Sequence, residues 1–148
     1  MLIKGIDNQS VELKITNYQY PQIKNDKWDS NWLNIYLCVK SKAGNWQTVD
    51  PSLTTFEVTD LIKWFYDLSQ GKTPQEKYLV FTEPNIQIEL LNSTEKGTRK
   101  FRIKFELESR PKLSSNDKEY FVDCLAGKNE LYKISEDLKG ELSSYPER

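Results

Sequence analysis

Hydrophobic and polar residues alternate over most of this chain, and the period lengthens to helical spacing in only two places. Val11, Leu13 and Ile15 alternate with Glu12, Lys14 and Thr16, the signature of a strand with one buried face. Leu33, Ile35, Leu37 and Val39 form one apolar face of a strand over 32–40, with Trp32, Asn34, Tyr36, Cys38 and Lys40 on the other. Ala43-Gly44-Asn45 marks a turn and Trp46 to Val49 a returning strand. Shorter strands are expected at 2–7, at 78–81, over Ile86, Ile88 and Leu90, and from Tyr120 to Leu125. After a hairpin loop at 92–97, Phe101, Ile103, Phe105 and Leu107 face inward. Arg102, Lys104, Glu106 and Glu108 face water. Residues 18–30 and 109–118 read as polar loops.

The helical stretches follow two of these strands. Phe56 and Val58 end a short strand, Thr59 serves as N-cap and Asp60 occupies the first turn. Leu61, Phe65 and Leu68 then space an amphipathic helix over 60–69, with Trp64 in the core and Gly71 as its stop. Leu131, Ile134, Leu138 and Leu142 space a C-terminal helix running from about 129 towards Pro146. Gly140 lies inside it, at a cost of ~1 kcal/mol relative to Ala. Strands in runs, rather than alternating with helices, predict one α+β domain spanning 1–148. Its mostly antiparallel sheet of about seven or eight strands is curved or an open sandwich, closed by a central and a C-terminal helix.

Composition removes more functions than it suggests. The chain has no histidine, which excludes Ser-His-Asp and Cys-His triads, His-ligated metals and histidine bases. Its 21 basic and 22 acidic residues leave a charge of −1, without the basic surplus of a nucleic-acid binder or a reason to meet an anionic membrane. No cofactor or metal motif is present: no phosphate loop, no CxxC pair, no dinucleotide fingerprint. The start carries no apolar signal core, and no apolar run is long enough to span a bilayer, so a cytoplasmic location is expected. Cys38 and Cys124, far apart in apolar stretches, are expected to be buried free thiols.

A few side chains carry chemistry. Asp29-Ser30-Asn31-Trp32-Leu33-Asn34 offers Trp32 as an interface anchor, although Asp29 and Asn31 equally suit local backbone bonds that tie down a loop. Glu83-Pro84-Asn85 presents Glu83 to a partner or simply turns the chain. Glu106 and Glu108, two apart on one strand face, resemble a carboxylate pair, but Arg102 and Lys104 on that face favour a solvated mixed-charge surface over catalysis. The basic tip Lys96, Arg99 and Lys100 lacks a stacking platform. Glu136, Asp137 and Glu141, with Asp60 and Asp67, form an acidic patch or merely solubilise the helices.

Six short stretches resemble the WapI-type immunity proteins of bacterial contact-dependent competition systems. They are Tyr18-Gln19-Tyr20-Pro21, Asp29 to Asn34, Thr55-Phe56-Glu57-Val58, Glu83-Pro84-Asn85, Phe105 to Pro111 and Tyr145-Pro146-Glu147-Arg148, in order over nearly the whole chain. The resemblance implies a cytoplasmic, non-catalytic antidote that binds the toxic C-terminal domain of a wall-associated secreted toxin, often a nuclease. It carries over no contact residues position by position. The residues themselves put Trp32, Glu83, Asn85, Glu106 and Glu108 forward as partner contacts. The alternative is a sugar- or small-ligand-binding β domain using Trp28, Trp32 and Trp46 as an exposed, coplanar platform. A carboxylate-dependent hydrolase is a third reading, and it needs two acids converging in a pocket.

Overall fold

In the computed structural model, which describes residues 1–93 and 95–148, the alternating segments form two antiparallel sheets of four strands each. The first sheet runs in the order β1 (Leu2–Lys4), β2 (Ser10–Tyr18), β3 (Trp32–Ser41) and β4 (Gly44–Thr54). Helix α1 (Thr55–Ser69) leads to the second sheet, β5 (Tyr78–Val80), β6 (Ile86–Leu91), β7 (Thr98–Phe105) and β8 (Tyr120–Gly127), and α2 (Lys128–Leu142) follows. Each sheet is a meander in which strands adjacent in sequence pair in space. The expected loop at 92–97 includes Thr94, which lies outside the described residues.

The inner faces share one core. Leu33, Ile35, Leu37 and Val39 are at most 1% exposed, and Phe101 and Phe105 of the facing sheet are fully buried. A void of about 20 Å³ lies between them, lined by Leu13 and Leu37 from one sheet, Ile88 and Ile103 from the other, and Phe65 from α1. Trp64 is buried as expected, edge-on to Phe65 and Phe101 at 5.1 and 6.3 Å between ring centres. Burying one such aliphatic or aromatic side chain is worth about 1.5–3 kcal/mol. The two helices pack against each other and close the structure, with Leu131, Ile134 and Leu138 of α2 facing the core.

The start of α1 differs from expectation. Phe56 and Val58 belong to the helix rather than to a strand, and the N-cap is Thr54 rather than Thr59. Thr54 and Glu57 form a reciprocal capping box, and Thr59 donates its hydroxyl to Thr55 O at 3.0 Å inside the helix. Phe56 and Val58 are two apart and mimic a strand. Val58, Leu61, Phe65 and Leu68 nevertheless continue one helical stripe back to the cap. Asp60 is accordingly a solvent-exposed mid-helix residue. Strand β4 runs five residues past the expected Val49. Pro51 interrupts the alternation but is tolerated because β4 is an edge strand.

The open ends of the two sheets meet at Gly5. Ile6 N donates to Asp123 O at 2.8 Å, joining the segment after β1 to β8. A Cβ on Gly5 would lie 2.5 Å from Val122 Cγ1 and 3.0 Å from Asp123 O. Gly5→Ala is therefore expected to destabilise the fold by about 1–3 kcal/mol through overpacking. Urea denaturation checks this, and an unchanged midpoint would show that the seam yields freely.

The loop after β2 is tied down by Asn31 and Arg148. Asn31 donates to Lys27 O and Arg148 O and accepts from Thr55 Oγ1 and Arg148 N. The Arg148 guanidinium donates to the carbonyls of Ser30, Pro21 and Tyr20 and stacks 3.6 Å over Tyr18. Asn31 thus has the loop-tying role anticipated for it. The companion carboxylate is Asp26, which accepts from Trp28 N and Asp29 N, rather than Asp29. Both cysteines are free. Cys124 is buried, which pushes its thiol up to about 12, whereas Cys38 is only half-buried on the outer face of β3.

Candidate functional site

Among the described residues, no cluster of His, Cys, Asp or Glu is arranged to hold a metal ion. The chemistry of the surface concentrates instead where β4 approaches the end of β7. Strand β7 stops at Phe105, and Glu106 N turns to donate to Asn85 O at 2.8 Å. Leu107 then takes φ +47°, an unusual conformation for a branched side chain, and starts a single 3-10 turn, Leu107–Ser109. That break reverses the expected facing. Leu107 is 55% exposed rather than inward, and Glu106 and Glu108 do not share a strand face. Glu106 is half-buried and paired with Arg110, whereas Glu108 is exposed on the turn.

The turn is pinned to β4 from below. Trp46 Nε1 donates to Ser109 O at 2.9 Å, and the indole packs edge-on against Phe105 and Tyr120 at 5.4 and 6.0 Å. Two residues further along β4, Thr48 faces the turn, and two more bring Asp50 to the start of β6. There Asn85 Nδ2 donates to Asp50 Oδ2 at 2.7 Å and reaches Ser52 Oγ at 3.4 Å. Asn85 is 1% exposed, so its side chain positions Asp50 rather than reaching the surface.

An open groove of about 660 Å³ lies between β4 and the segment after β7, and its lining mixes the carboxylates of Asp50 and Glu108 with the cations of Arg110 and Lys112, beside Val49 and Leu107. Burial, and then the charges of Glu108 and Glu83, push the Asp50 carboxyl above its ordinary range, against the opposing bond from Asn85. Among the described residues, no ion pair involves Asp50, Glu83 or Glu108. Arg102 and Lys104, expected to share a face with the glutamates, are engaged across the second sheet. Arg102 grips Asp123 at 2.6 and 3.0 Å, and Lys104 lies 3.4 Å from Glu89.

Unsatisfied polar groups gather in the same region. Five buried side-chain polar atoms lack a hydrogen-bond partner among the described residues, and four are Thr48 Oγ1, Asn85 Oδ1, Ser109 Oγ and Arg110 Nε. Of the five residues singled out from sequence, the structure thus brings four to one region: Glu83 and Glu108 exposed, Asn85 buried beneath, Glu106 locked by Arg110. Trp32 is half-buried at the start of β3 and does not line the groove. Asp50 and Arg110 escaped the sequence reading, because the strand was expected to end at Val49 and the last turn was expected to be loop, whereas Thr48 lay inside the expected strand without a feature to single it out.

The aromatic platform does not form. Trp46 is packed between the sheets and Trp32 is half-buried, while Trp28 is 47% exposed and edge-on to Phe56 at 5.2 Å. No helix is long and apolar enough to cross a membrane among the described residues. No curated protein matches the chain. The model of the immunity protein WapI-like family does match it, over residues 1–146, and the chain belongs to that family.

Proposed function

We propose that this chain is the antidote of a toxin–immunity pair, binding the C-terminal domain of a cognate secreted toxin in the cytoplasm of the producing cell and blocking it. The cognate domain is, in this reading, a nuclease. Family membership supports the immunity role, and the observation that carries the choice of surface is the gathering of Asp50, Glu83 and Glu108, exposed or half-buried and outside any ion pair among the described residues, beside a groove that Lys112 also lines. A nuclease holds phosphate with a basic surface, and such a surface is attracted to carboxylates that stand where phosphates would. Occlusion of this kind needs a rigid scaffold and complementary charge rather than catalytic groups.

The direct test is co-expression of the tagged chain with the toxin C-terminal domain encoded immediately upstream of its gene. Co-purification together with restored growth is expected. Growth arrest without a complex would overturn the reading and return attention to small ligands.

Asp50 also separates binding from folding. Its raised pKa means that the fold disfavours the ionised form relative to the unfolded chain. The ionised group therefore costs stability at neutral pH, and that cost disappears as pH falls below the folded-state value. Asp50→Asn is expected to keep the Asn85 contact, hold or raise the thermal midpoint at pH 7, and weaken toxin binding. A lower midpoint at pH 7 would show instead that the charge stabilises the fold.

A further inference from the structure

Of the four tryptophans, only Trp28 is exposed, and it stands on the loop between β2 and β3, which forms neither helix nor strand. A single exposed apolar residue is ordinary on a protein surface. What sets Trp28 apart is how firmly its backbone is fixed. Its N–H donates to Asp26 Oδ1 at 2.8 Å, and its carbonyl accepts from Asn31 N at 3.0 Å. The indole rests edge-on against Phe56, with the Lys27 ammonium 5.8 Å from its ring centre.

Residues 145–148 extend that fixing to the whole loop. The Arg148 guanidinium donates to Tyr20 O and Pro21 O near the loop's start and to Ser30 O at its end, so one side chain joins the two. Tyr145 donates its hydroxyl to Thr16 O at 2.7 Å and stands edge-on to Tyr18 at 5.5 Å, and Tyr18 donates to Pro146 O. A loop ordered in advance loses less freedom when a partner closes on it. Trp is also among the side chains that most often anchor an interface.

The loop is joined to the segment that carries Glu83. Thr55 donates its hydroxyl to Asn31 Oδ1 at 2.8 Å, Phe56 follows, and Glu57 comes next and accepts from Thr82 N at 2.6 Å. Three consecutive residues at the start of α1 thus link the Trp28 loop to Thr82 and Glu83. Lys24 and Lys27 offset Asp26 and Asp29, so the loop offers contact rather than charge steering. We infer that the toxin domain closes over this loop as well as over Glu83, taking the Trp28 indole into an apolar recess, and that Arg148 is the positioning residue that holds the loop for it. The inference rests on the antidote reading and names a further anchor for the same partner.

The test is hydroxyl-radical footprinting of the unsubstituted chain, alone and with the toxin C-terminal domain encoded beside it, together with affinities of two variants. Trp28 is expected to be oxidised at least ~fivefold more slowly in the complex, because a buried anchor is shielded from water. Trp28→Ala is expected to weaken the complex by roughly tenfold or more, through faster dissociation and with little dependence on salt. Arg148→Ala is expected to weaken the parent complex by about fivefold and to change little once Trp28 is already alanine, since the two act as one unit. A complex in which Trp28 is oxidised as fast as in the free chain, or which Trp28→Ala leaves at parent affinity, overturns the inference and keeps the antidote reading. Losses from the two variants that simply multiply overturn the positioning role of Arg148. No complex with the unsubstituted chain overturns both the inference and the antidote reading. A dimer of the chain alone that Trp28→Ala dissolves would assign the indole to a second copy instead.

Discussion

Replacing Glu57 with alanine is expected to destabilise the fold by about 2–4 kcal/mol. Glu57 is only 8% exposed and serves two elements at once. Its Oε2 accepts from Thr54 N at 2.8 Å and Thr54 Oγ1 at 2.9 Å, closing the cap of α1. Its Oε1 accepts from Thr82 N at 2.6 Å, holding the segment that leads to Glu83 and Asn85. Losing a cap costs about 0.5–2 kcal/mol, and stranding a buried donor costs a further ~1–3 kcal/mol. In a chain of this length each kcal/mol moves the thermal midpoint by roughly 2–4 °C, so a drop of about 4–16 °C is expected. Glu57→Gln, which retains one acceptor oxygen, should lose less. A Glu57→Ala midpoint within a degree of the parent would mean that the 82–85 turn is held by other contacts.

The second large effect concerns binding. Reversing Glu83 and Glu108 together to lysine is expected to weaken the toxin complex by ~100-fold or more, since like charges brought together at an interface cost several kcal/mol. Both side chains are exposed and neither is in an ion pair among the described residues, so the fold should survive. Most of the loss at low salt should appear in the association rate, because the exposed acids steer encounter. Asp60→Lys with Glu136→Lys, a reversal of equal charge on the two helices, is the control and is expected to leave affinity near the parent value. Equal losses from both pairs would show that net charge, rather than this face, governs binding.

The fold was readable wherever one face is wet and the other dry. β2, β3, β6 and β7 each alternate cleanly, and their registers follow from burying one face. What escaped was decided by contacts distant in sequence. Thr54 could be recognised as the cap only through Glu57 and the helical stripe beginning at Val58, because Phe56 and Val58 alone fit either period. The outward turn at Leu107 continues the alternation of β7 perfectly in sequence. It is broken by Asn85 O taking the Glu106 N–H and by Trp46 holding Ser109 O, and no local pattern reports such bonds. Asp50 was hidden by Pro51, which reads as a strand terminator until β4 is known to be an edge. The acidic face therefore became visible in part through Glu83 and Glu108, while the residue at its centre did not.

On the proposed function, this chain neutralises its toxin by stoichiometric occlusion. The most direct measurement is a titration of toxin-domain activity against increasing amounts of the purified chain, followed over time. A linear fall to zero at one chain per toxin domain, reached at once and stable thereafter, is the predicted result. Progressive loss of toxin activity at substoichiometric amounts would reveal a catalytic antidote and contradict the account.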